Sequence, residues 1–205
     1  PGRGLQGRRV FPLQAIDGAR AEDGRLILGE GMFVGDAAEA YLRAACQRSN
    51  ELSIEMTLAA REIDQRGPAR IVTLSSESQQ TSFTVGQNYG HLVFRLRTDG
   101  RSRPPGHNGI KLYEITDRKP RHVIISYRDA ELVCYIDGQL VRRLDDTTGG
   151  LSNWSQQHLL FGDECNEKRP WKGTIEGVVL YNRFIDEDEA RANAAAYQRG
   201  RDRED

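Results

Sequence analysis

The chain has 205 residues, which suits a single sandwich-sized domain with its own core. Its 29 basic and 30 acidic side chains give a net charge of −1, and this argues against general binding to nucleic acid or anionic membranes, which needs a basic excess. No apolar run approaches the roughly 18 residues of a membrane-spanning helix, so no membrane insertion is expected.

Residues 1–9 are expected to be a flexible lead-in, residues 10–200 a single domain, and residues 201–205 a disordered tail. Within the domain, short segments with alternating apolar and polar side chains, separated by turn residues, predict β-strands. These predicted strands are 10–16, 26–28, 32–34, 51–59, 69–75, 82–86, 91–98, 110–115, 121–127, 132–136, 139–144, 157–161 and 172–181. Residues 37–46 are alanine-rich, but we expect a loop there because their apolar pair stands alone.

The clearest pattern is a meander of three strands over residues 121–143. Asp137-Gly138 favours a type I′ turn, because such a turn needs positive φ at both central residues. One helix is expected near the C-terminus, capped by Asp186 and ending near Arg199. Many short strands followed by one short helix predict an all-β fold, an antiparallel jelly-roll sandwich of two sheets.

Six segments carry a resemblance to a known family. They are ELSIE at 51–55, ARIVTLS at 69–75, SFTVGQ at 82–87, RHVIISY at 121–127, YIDGQLV at 135–141 and WKGTIEGVVLYNR at 171–183. Over about residues 50–190 the chain resembles the laminin G-like domains of the concanavalin A-like lectin/glucanase superfamily, in their bacterial form.

The resemblance implies a two-sheet jelly roll that binds a glycan or a protein ligand. It also implies a place outside the cytoplasm, whether extracellular, periplasmic or on the cell surface, as part of a larger exported protein. Many members of the family carry a calcium ion at one rim, so Ca²⁺ is the one cofactor that the resemblance suggests.

Carboxylates are the side chains that could act as catalytic groups on this fold. Glucanases of the superfamily place them on one strand in the pattern E-x-D-x-x-E, so that alternate residues face the substrate. Here Glu62 and Asp64 begin such a pattern without its third carboxylate, and Glu51 and Glu55 flank a serine, Ser53. We therefore expect a binding module that is not an enzyme. A glycan-active hydrolase on the same fold and a purely structural or interaction domain remain the alternatives.

Aromatic rings and planar polar side chains are the groups that hold sugars. The candidate ligand-binding residues are Asn88, Tyr89, Arg95, Arg97, Asn108, Asn153 and Trp154. Arg95 and Arg97 share one strand face, which could hold an acidic glycan or pair with acids on a neighbouring strand. Trp154 is the leading aromatic candidate, whereas Trp171 is expected to plug the end of the sandwich.

Calcium prefers six to eight oxygen ligands. Asp163, Glu164 and Asn166 cluster in one loop and are the candidate ligands. Lys168 and Arg169 lie in the same loop and could neutralise these acids without any metal. An ion pair between Glu164 and Arg169 is therefore the simpler expectation.

The three cysteines lack the close spacing of a zinc site. Cys134 is expected to be a packed core residue. A disulfide between Cys46 and Cys165 is left open, and so is the oligomeric state, because edge strands of a sandwich can pair between chains.

Overall fold

A computed structural model of the chain describes residues 9–76, 80–100, 109–166 and 168–201, which form fourteen strands and two helices. The strands are β1 Gln14–Ile16, β2 Arg20–Glu22, β3 Arg25–Leu28, β4 Met32–Val34, β5 Leu52–Ala60, β6 Gln65–Ser75, β7 Thr81–Tyr89, β8 His91–Leu96, β9 Ile110–Glu114, β10 Arg121–Arg128, β11 Glu131–Ile136, β12 Gln139–Leu144, β13 His158–Phe161 and β14 Gly173–Tyr181. The helices are α1 Asp36–Ser49 and α2 Glu187–Arg201. Among the described residues, neither helix is long and apolar enough to cross a membrane.

The described strands form two antiparallel sheets of seven strands each. The front sheet has the strand order β1-β4-β13-β6-β7-β8-β9, and the back sheet has the order β12-β11-β10-β5-β14-β3-β2. The predicted all-β sandwich of jelly-roll type, with a short C-terminal helix, is confirmed.

The hydrophobic core lies between the two sheets and is built from alternate residues of their strands. On β5, Leu52, Ile54 and Met56 are at most 1% exposed. Burial of each such side chain stabilises the fold by about 1.5–3 kcal/mol. Trp171 is fully buried, as expected, and its indole Nε1 donates a hydrogen bond to Oε1 of Gln87 at 2.8 Å.

The meander predicted over residues 121–143 is confirmed as strands β10, β11 and β12. Asp137 and Gly138 have φ values of 52° and 79°, as the predicted type I′ turn requires. Cys134 on β11 is buried in the core, which is also as predicted.

The prediction of a loop at residues 37–46 is wrong, because this segment lies in helix α1. Alanine has the highest intrinsic helix propensity, and Leu42 and Cys46 stack one turn apart on the buried side of the helix. Asn50, with a φ of 55°, ends the helix in a left-handed cap. Cys46 is a buried free thiol, so the disulfide to Cys165 that the sequence left open is absent.

Candidate functional site

The C-terminal segment, residues 182–201, packs on the outer face of the back sheet through a small apolar cluster. This cluster consists of Ile124, Val133, Tyr135, Ile185 and Ala190. Two of the acids that the sequence offered as catalytic groups, Glu51 and Glu55, lie beneath the same segment, whereas Glu62 pairs with Lys172 at 2.9 Å. Oε2 of Glu51 accepts a hydrogen bond from the backbone N–H of Phe184 at 2.8 Å, and the hydroxyl of Ser53 donates to the carbonyl of Arg183 at 2.6 Å. These contacts fix the chain that leads into α2.

Glu55 is the centre of a buried polar network under α2. Its Oε1 lies 2.9 Å from Nε2 of His122, and its Oε2 accepts hydrogen bonds from the Tyr181 hydroxyl at 2.6 Å and the Asn193 amide at 3.1 Å. Burial alone would raise the pKa of Glu55, but these hydrogen bonds and the charge of His122 outweigh burial and lower the pKa below its ordinary value. The carboxylate of Glu55 therefore joins β10, β14 and helix α2 to β5.

The outer face of the front sheet is polar along strands β6, β7 and β8. Phe83 and Phe94 belong to the core, so the next residues along their strands, Thr84 and Arg95, point outwards. Thr84 pairs in register with Thr73 on one side and with Arg95 on the other. The hydroxyl oxygens of Thr73 and Thr84 are 3.0 Å apart. The three strands thus carry a row of polar side chains, in which Thr73 and Thr84 are buried and Arg95 is half-buried.

Several polar atoms on this face are buried without a hydrogen-bond partner. In the described part of the chain they include Oγ of Ser75, Oγ of Ser82 and Nε of Arg95. Leaving a buried polar group unpaired costs about 1–3 kcal/mol, so native proteins keep few of them. Such atoms also occur on β10 of the back sheet, at Nε of Arg121 and Nδ1 of His122, so they do not by themselves mark the front sheet as a binding face.

Arg95 belongs to an arginine cluster, which we define as Arg70, Arg95 and Arg169 together with Glu164. The Glu164 carboxylate pairs with Nε of Arg70 at 2.9 Å and with Nε of Arg169 at 3.2 Å. No ion pair reaches Arg95 from the residues that the structure describes. Burial, followed by repulsion from Arg70 and Arg169, lowers the pKa of Arg95 to about 10. Positive charge is therefore in excess among these four side chains.

The backbone holds the cluster in place. The loop of residues 162–171 returns on itself, because the N–H of Trp171 donates to the carbonyl of Gly162 at 2.8 Å. The same loop lies along β6, where the N–H of Arg70 donates to the carbonyl of Arg169 at 2.9 Å. Two arginines almost a hundred positions apart in the chain are thereby brought side by side.

Two members of the cluster were missing from the candidate ligand-binding residues. Arg70 lies between the core residues Ala69 and Ile71 on a predicted strand, so the alternation of side chains could have identified it. Arg169 carries no comparable signal, since only the fold of its loop brings it to β6.

The structure places several predicted ligand residues near the front sheet. Asn88 and Tyr89 end β7 at the turn into β8, and Tyr89 is 51% exposed with a φ of 51°. Arg97 follows β8 directly and is exposed. Asn108 lies outside the described residues.

The expectation that Trp154 presents an aromatic face to a ligand is wrong. It is only 3% exposed, and its ring packs 5.9 Å from the ring of Phe83 in the core. Its indole Nε1 donates a hydrogen bond to the carbonyl of Arg97 at 2.9 Å. The neighbouring Asn153 is half-buried, with its Oδ1 unpartnered. Neither residue offers an open platform for a sugar.

The candidate calcium ligands are engaged by the protein itself. Oδ1 of Asp163 accepts hydrogen bonds from the backbone N–H groups of Glu164 and Arg169, at 2.8 and 2.9 Å. The carboxylate of Glu164 is taken by Arg70 and Arg169, so the predicted ion pair with Arg169 is confirmed. Asn166 is exposed, and no metal-ligating group of three side chains occurs across the described ranges. Of the described carboxylates in this loop, both therefore have partners within the protein.

The two seven-stranded antiparallel sheets define a lectin-like β-sandwich. Helix α2 packs on the outer face of the back sheet, and the outer face of the front sheet carries polar side chains. A family model of the laminin G type, described as the Concanavalin A-like lectin/glucanases superfamily, matches residues 35–191. The chain belongs to this family, as the resemblance predicted. No curated protein sequence matches the chain.

Among the solved structures with the same fold are proteins whose descriptions name a carbohydrate ligand. A structure of botulinum neurotoxin type C, whose cell entry depends on two ganglioside molecules, aligns with a TM-score of 0.69 and 12% identity, covering 91% of this chain and 46% of the other. Trypanosoma rangeli sialidase in complex with sialic acid aligns with a TM-score of 0.60 and 18% identity, covering 93% of this chain and 30% of the other.

A third similar structure is domain 4 of an extracellular arabinanase from Geobacillus stearothermophilus, in complex with arabinotriose. It aligns with a TM-score of 0.62 and 12% identity, covering 92% of this chain and 84% of the other. The chain spans less than half of the neurotoxin and sialidase chains but most of this domain. At these identities the likeness shows the fold alone.

Proposed function

We propose that the chain is a non-catalytic binding module that recognises a carbohydrate on the outer face of the front sheet. The observation that carries this proposal is the row of polar side chains on strands β6, β7 and β8, where Thr73, Thr84 and the half-buried Arg95 stand side by side in register. On the back sheet, α2 packs against the outer face and its Asn193 amide holds Glu55 there.

The kinds of ligand found on the same fold support a carbohydrate. Ganglioside, sialic acid and arabinotriose are named for three structurally similar proteins. Polar side chains on a rigid sheet can bind sugar hydroxyls through hydrogen bonds without large ordering costs. A protein ligand is the other outcome that the same surface allows.

The distribution of acids supports binding without turnover. Glycoside hydrolysis needs two carboxylates facing the scissile bond, and strands β6, β7 and β8 contain no Asp or Glu in their sequences. Glu51 and Glu55 are occupied in holding the C-terminal segment. An assay for released reducing sugar over a polysaccharide panel tests this point, and turnover that is lost in Glu55→Gln would show that the chain is a hydrolase.

A glycan array tests the proposed function directly. The wild-type chain should bind at least one glycan class, and Arg95→Ala should weaken that binding. Arg142→Ala is the matched control, because Arg142 is an exposed arginine on β12 of the back sheet. An array without any binder, or binding that both variants weaken equally, would refute recognition by the front face.

A role as an interaction domain is the second candidate, and β12 is the observation that favours it. This strand lies at the edge of the back sheet, where Leu140 and Val141 are 38% and 40% exposed. Exposed edge strands can pair with another chain. Sedimentation of the wild type and of Val141→Lys would reveal such pairing as an association that the charged variant loses.

We also propose that the module works outside the cytoplasm, within a larger exported protein. The similarity to a domain of an extracellular arabinanase supports this place. The sequence of the full gene product tests it, since an export signal and neighbouring domains should be encoded there. A gene product without any export route would overturn this part.

A further inference from the structure

We propose that a cavity at one end of the front sheet holds a single ring of a neutral sugar, with Asp17 accepting hydrogen bonds from the hydroxyl groups of the ring. The inference rests on the proposed function for the class of ligand, and it adds a point of contact outside the polar row of β6, β7 and β8. The cavity has a volume of about 170 Å³. The described residues that line it are Asp17, Gly29, Gly31, Met32, Asp163 and Pro170.

The cavity lies where the pairing of β4 with β13 ends. The last pair of these two strands is Phe33 with Phe161, and Met32 comes next on β4. Beyond Phe161 the chain turns away from β4 and lies along β6, where Pro170 forms a bridge with Arg70. A gap therefore opens between the start of β4 and the loop of residues 162–171.

The turn of residues 29–31 fixes the position of Asp17. Gly31 has a φ of 75°, and a Cβ at this position would clash with the carbonyl oxygens of Ile16 and Asp17. Only glycine lets the two turns pack so closely. The N–H of Ala19 donates to the carbonyl of Ile16 at 3.3 Å, which closes the turn that carries Asp17. A wall that is fixed before binding lowers the entropic cost of holding a ligand.

The walls of the cavity combine acceptor groups with apolar surface. Asp17 is exposed at the mouth, whereas Met32 and Asp163 are 7% and 5% exposed and form the deeper part. A carboxylate offers about four acceptor sites to hydroxyl groups. Met32 and Pro170 offer apolar surface to the C–H groups of a sugar ring. One water molecule requires only about 10–15 Å³, so the cavity has room for a group of several atoms.

The polar groups around the cavity favour a neutral ligand over a cation. Oδ1 of Asp163 already accepts hydrogen bonds from the backbone N–H groups of Glu164 and Arg169. On another side, Nη1 of Arg61 lies 3.7 Å from the place that a Cβ on Gly29 would occupy. A metal ion or an ammonium group would therefore meet a like charge beside the cavity. Sugar hydroxyls both donate and accept hydrogen bonds, so they suit acidic and basic neighbours alike.

Backbone ¹H–¹⁵N NMR spectra of the ¹⁵N-labelled chain test the cavity with simple probes. Glucose, galactose, mannose and arabinose are titrated separately, and ethanolamine and calcium chloride serve as cationic probes. At least one of the four sugars should shift the amide signals of Gly29, Gly31 and Met32 saturably at millimolar concentration. The two cationic probes should leave these signals in place.

The variant Asp17→Asn tests the role of the carboxylate. Asp17 has a φ of 51°, and asparagine is among the residues that tolerate this left-handed backbone, so the turn should keep its shape. Binding of the same sugar should weaken by about tenfold or more, because hydrogen bonds to a charged acceptor are lost. Asp145→Asn is the matched control, because Asp145 is an exposed acid that follows β12 of the back sheet. It should bind as the wild type does, and melting temperatures verify that both variants are folded.

Three results would overturn the inference. The first is that none of the four sugars moves the signals of the cavity. The second is that Asp17→Asn binds the sugar as tightly as Asp145→Asn does. The third is that ethanolamine or calcium moves the same signals as strongly as the sugar, which would identify a cation site.

Failure of this inference can be told apart from failure of the proposed function. Glycan binding on the array that Arg95→Ala weakens and Asp17→Asn leaves unchanged would keep the front face as the binding site and remove the cavity. An array without any binder, together with a saturable shift by a single sugar at Gly29 and Gly31, would support the cavity and refute recognition of larger glycans by the front face.

Discussion

Replacing Arg95 with methionine should make the protein more stable. The substitution keeps a long aliphatic side chain and removes a charge that is partly buried beside two other arginines. Lowering the pKa of an arginine from its ordinary value to about 10 would correspond to roughly 3 kcal/mol of destabilisation in a fully buried group. Arg95 remains partly exposed, so water screens much of this repulsion, and we expect a gain of about 1 kcal/mol.

The pH dependence of this gain follows from the sign of the shift. A cation with a lowered pKa is disfavoured in the folded state at every pH below that pKa. The penalty is therefore constant through the neutral range and is relieved only as the pH rises above about 10, towards the ordinary pKa of arginine. Arg95→Met should consequently gain the same stability at about pH 6 and at about pH 8.

Urea unfolding followed by tryptophan fluorescence measures the effect, and thermal unfolding should show a rise of about 2–4 °C for a chain of this size. Arg142→Met on β12 is the control and should show no such gain, because Arg142 is exposed. Loss of about 1 kcal/mol or more in Arg95→Met would mean that Arg95 has favourable partners within the fold, which would refute the expected gain.

Further predictions concern the back sheet, the rim and the helix. Glu55→Gln should lower the free energy of unfolding by about 1–3 kcal/mol at pH 7. Because the pKa of Glu55 is lowered, the stability of the wild type should fall towards that of the variant as the pH drops below 4.5. A difference in stability that stays constant with pH would contradict this. Trp154→Ala should cost about 3–5 kcal/mol of unfolding free energy, whereas Trp154→Phe should retain glycan binding, as measured on the array. Adding calcium after chelation should leave the melting temperature unchanged, and a rise would reveal a site. Leu42→Ala should cost about 2–5 kcal/mol if α1 packs as observed.

The parts of the fold that the sequence predicted correctly are those controlled by local geometry. On β5, the alternation of Leu52, Ile54 and Met56 identifies both the strand and its buried face. Asp137-Gly138 identifies the hairpin because few other residue pairs adopt positive φ at two successive positions. In each case neighbouring residues carry the whole signal.

The parts that the sequence did not predict depend on distant contacts. Helix α1 buries only a narrow stripe around Leu42 and Cys46, and that stripe gains its stability from packing against the sandwich. The position of Trp154 depends on Phe83, in a strand about seventy residues earlier. The arginine cluster requires the loop of residues 162–171 to lie along β6, and no local pattern encodes that contact.

The acids on β5 show why spacing alone does not identify chemistry. Glu51, Ser53 and Glu55 alternate as the carboxylates of a hydrolase would, yet each one holds a part of the C-terminal segment. The spacing of Glu51 and Glu55 therefore identifies side chains that hold the C-terminal segment, and only their partners in the fold separate this role from catalysis.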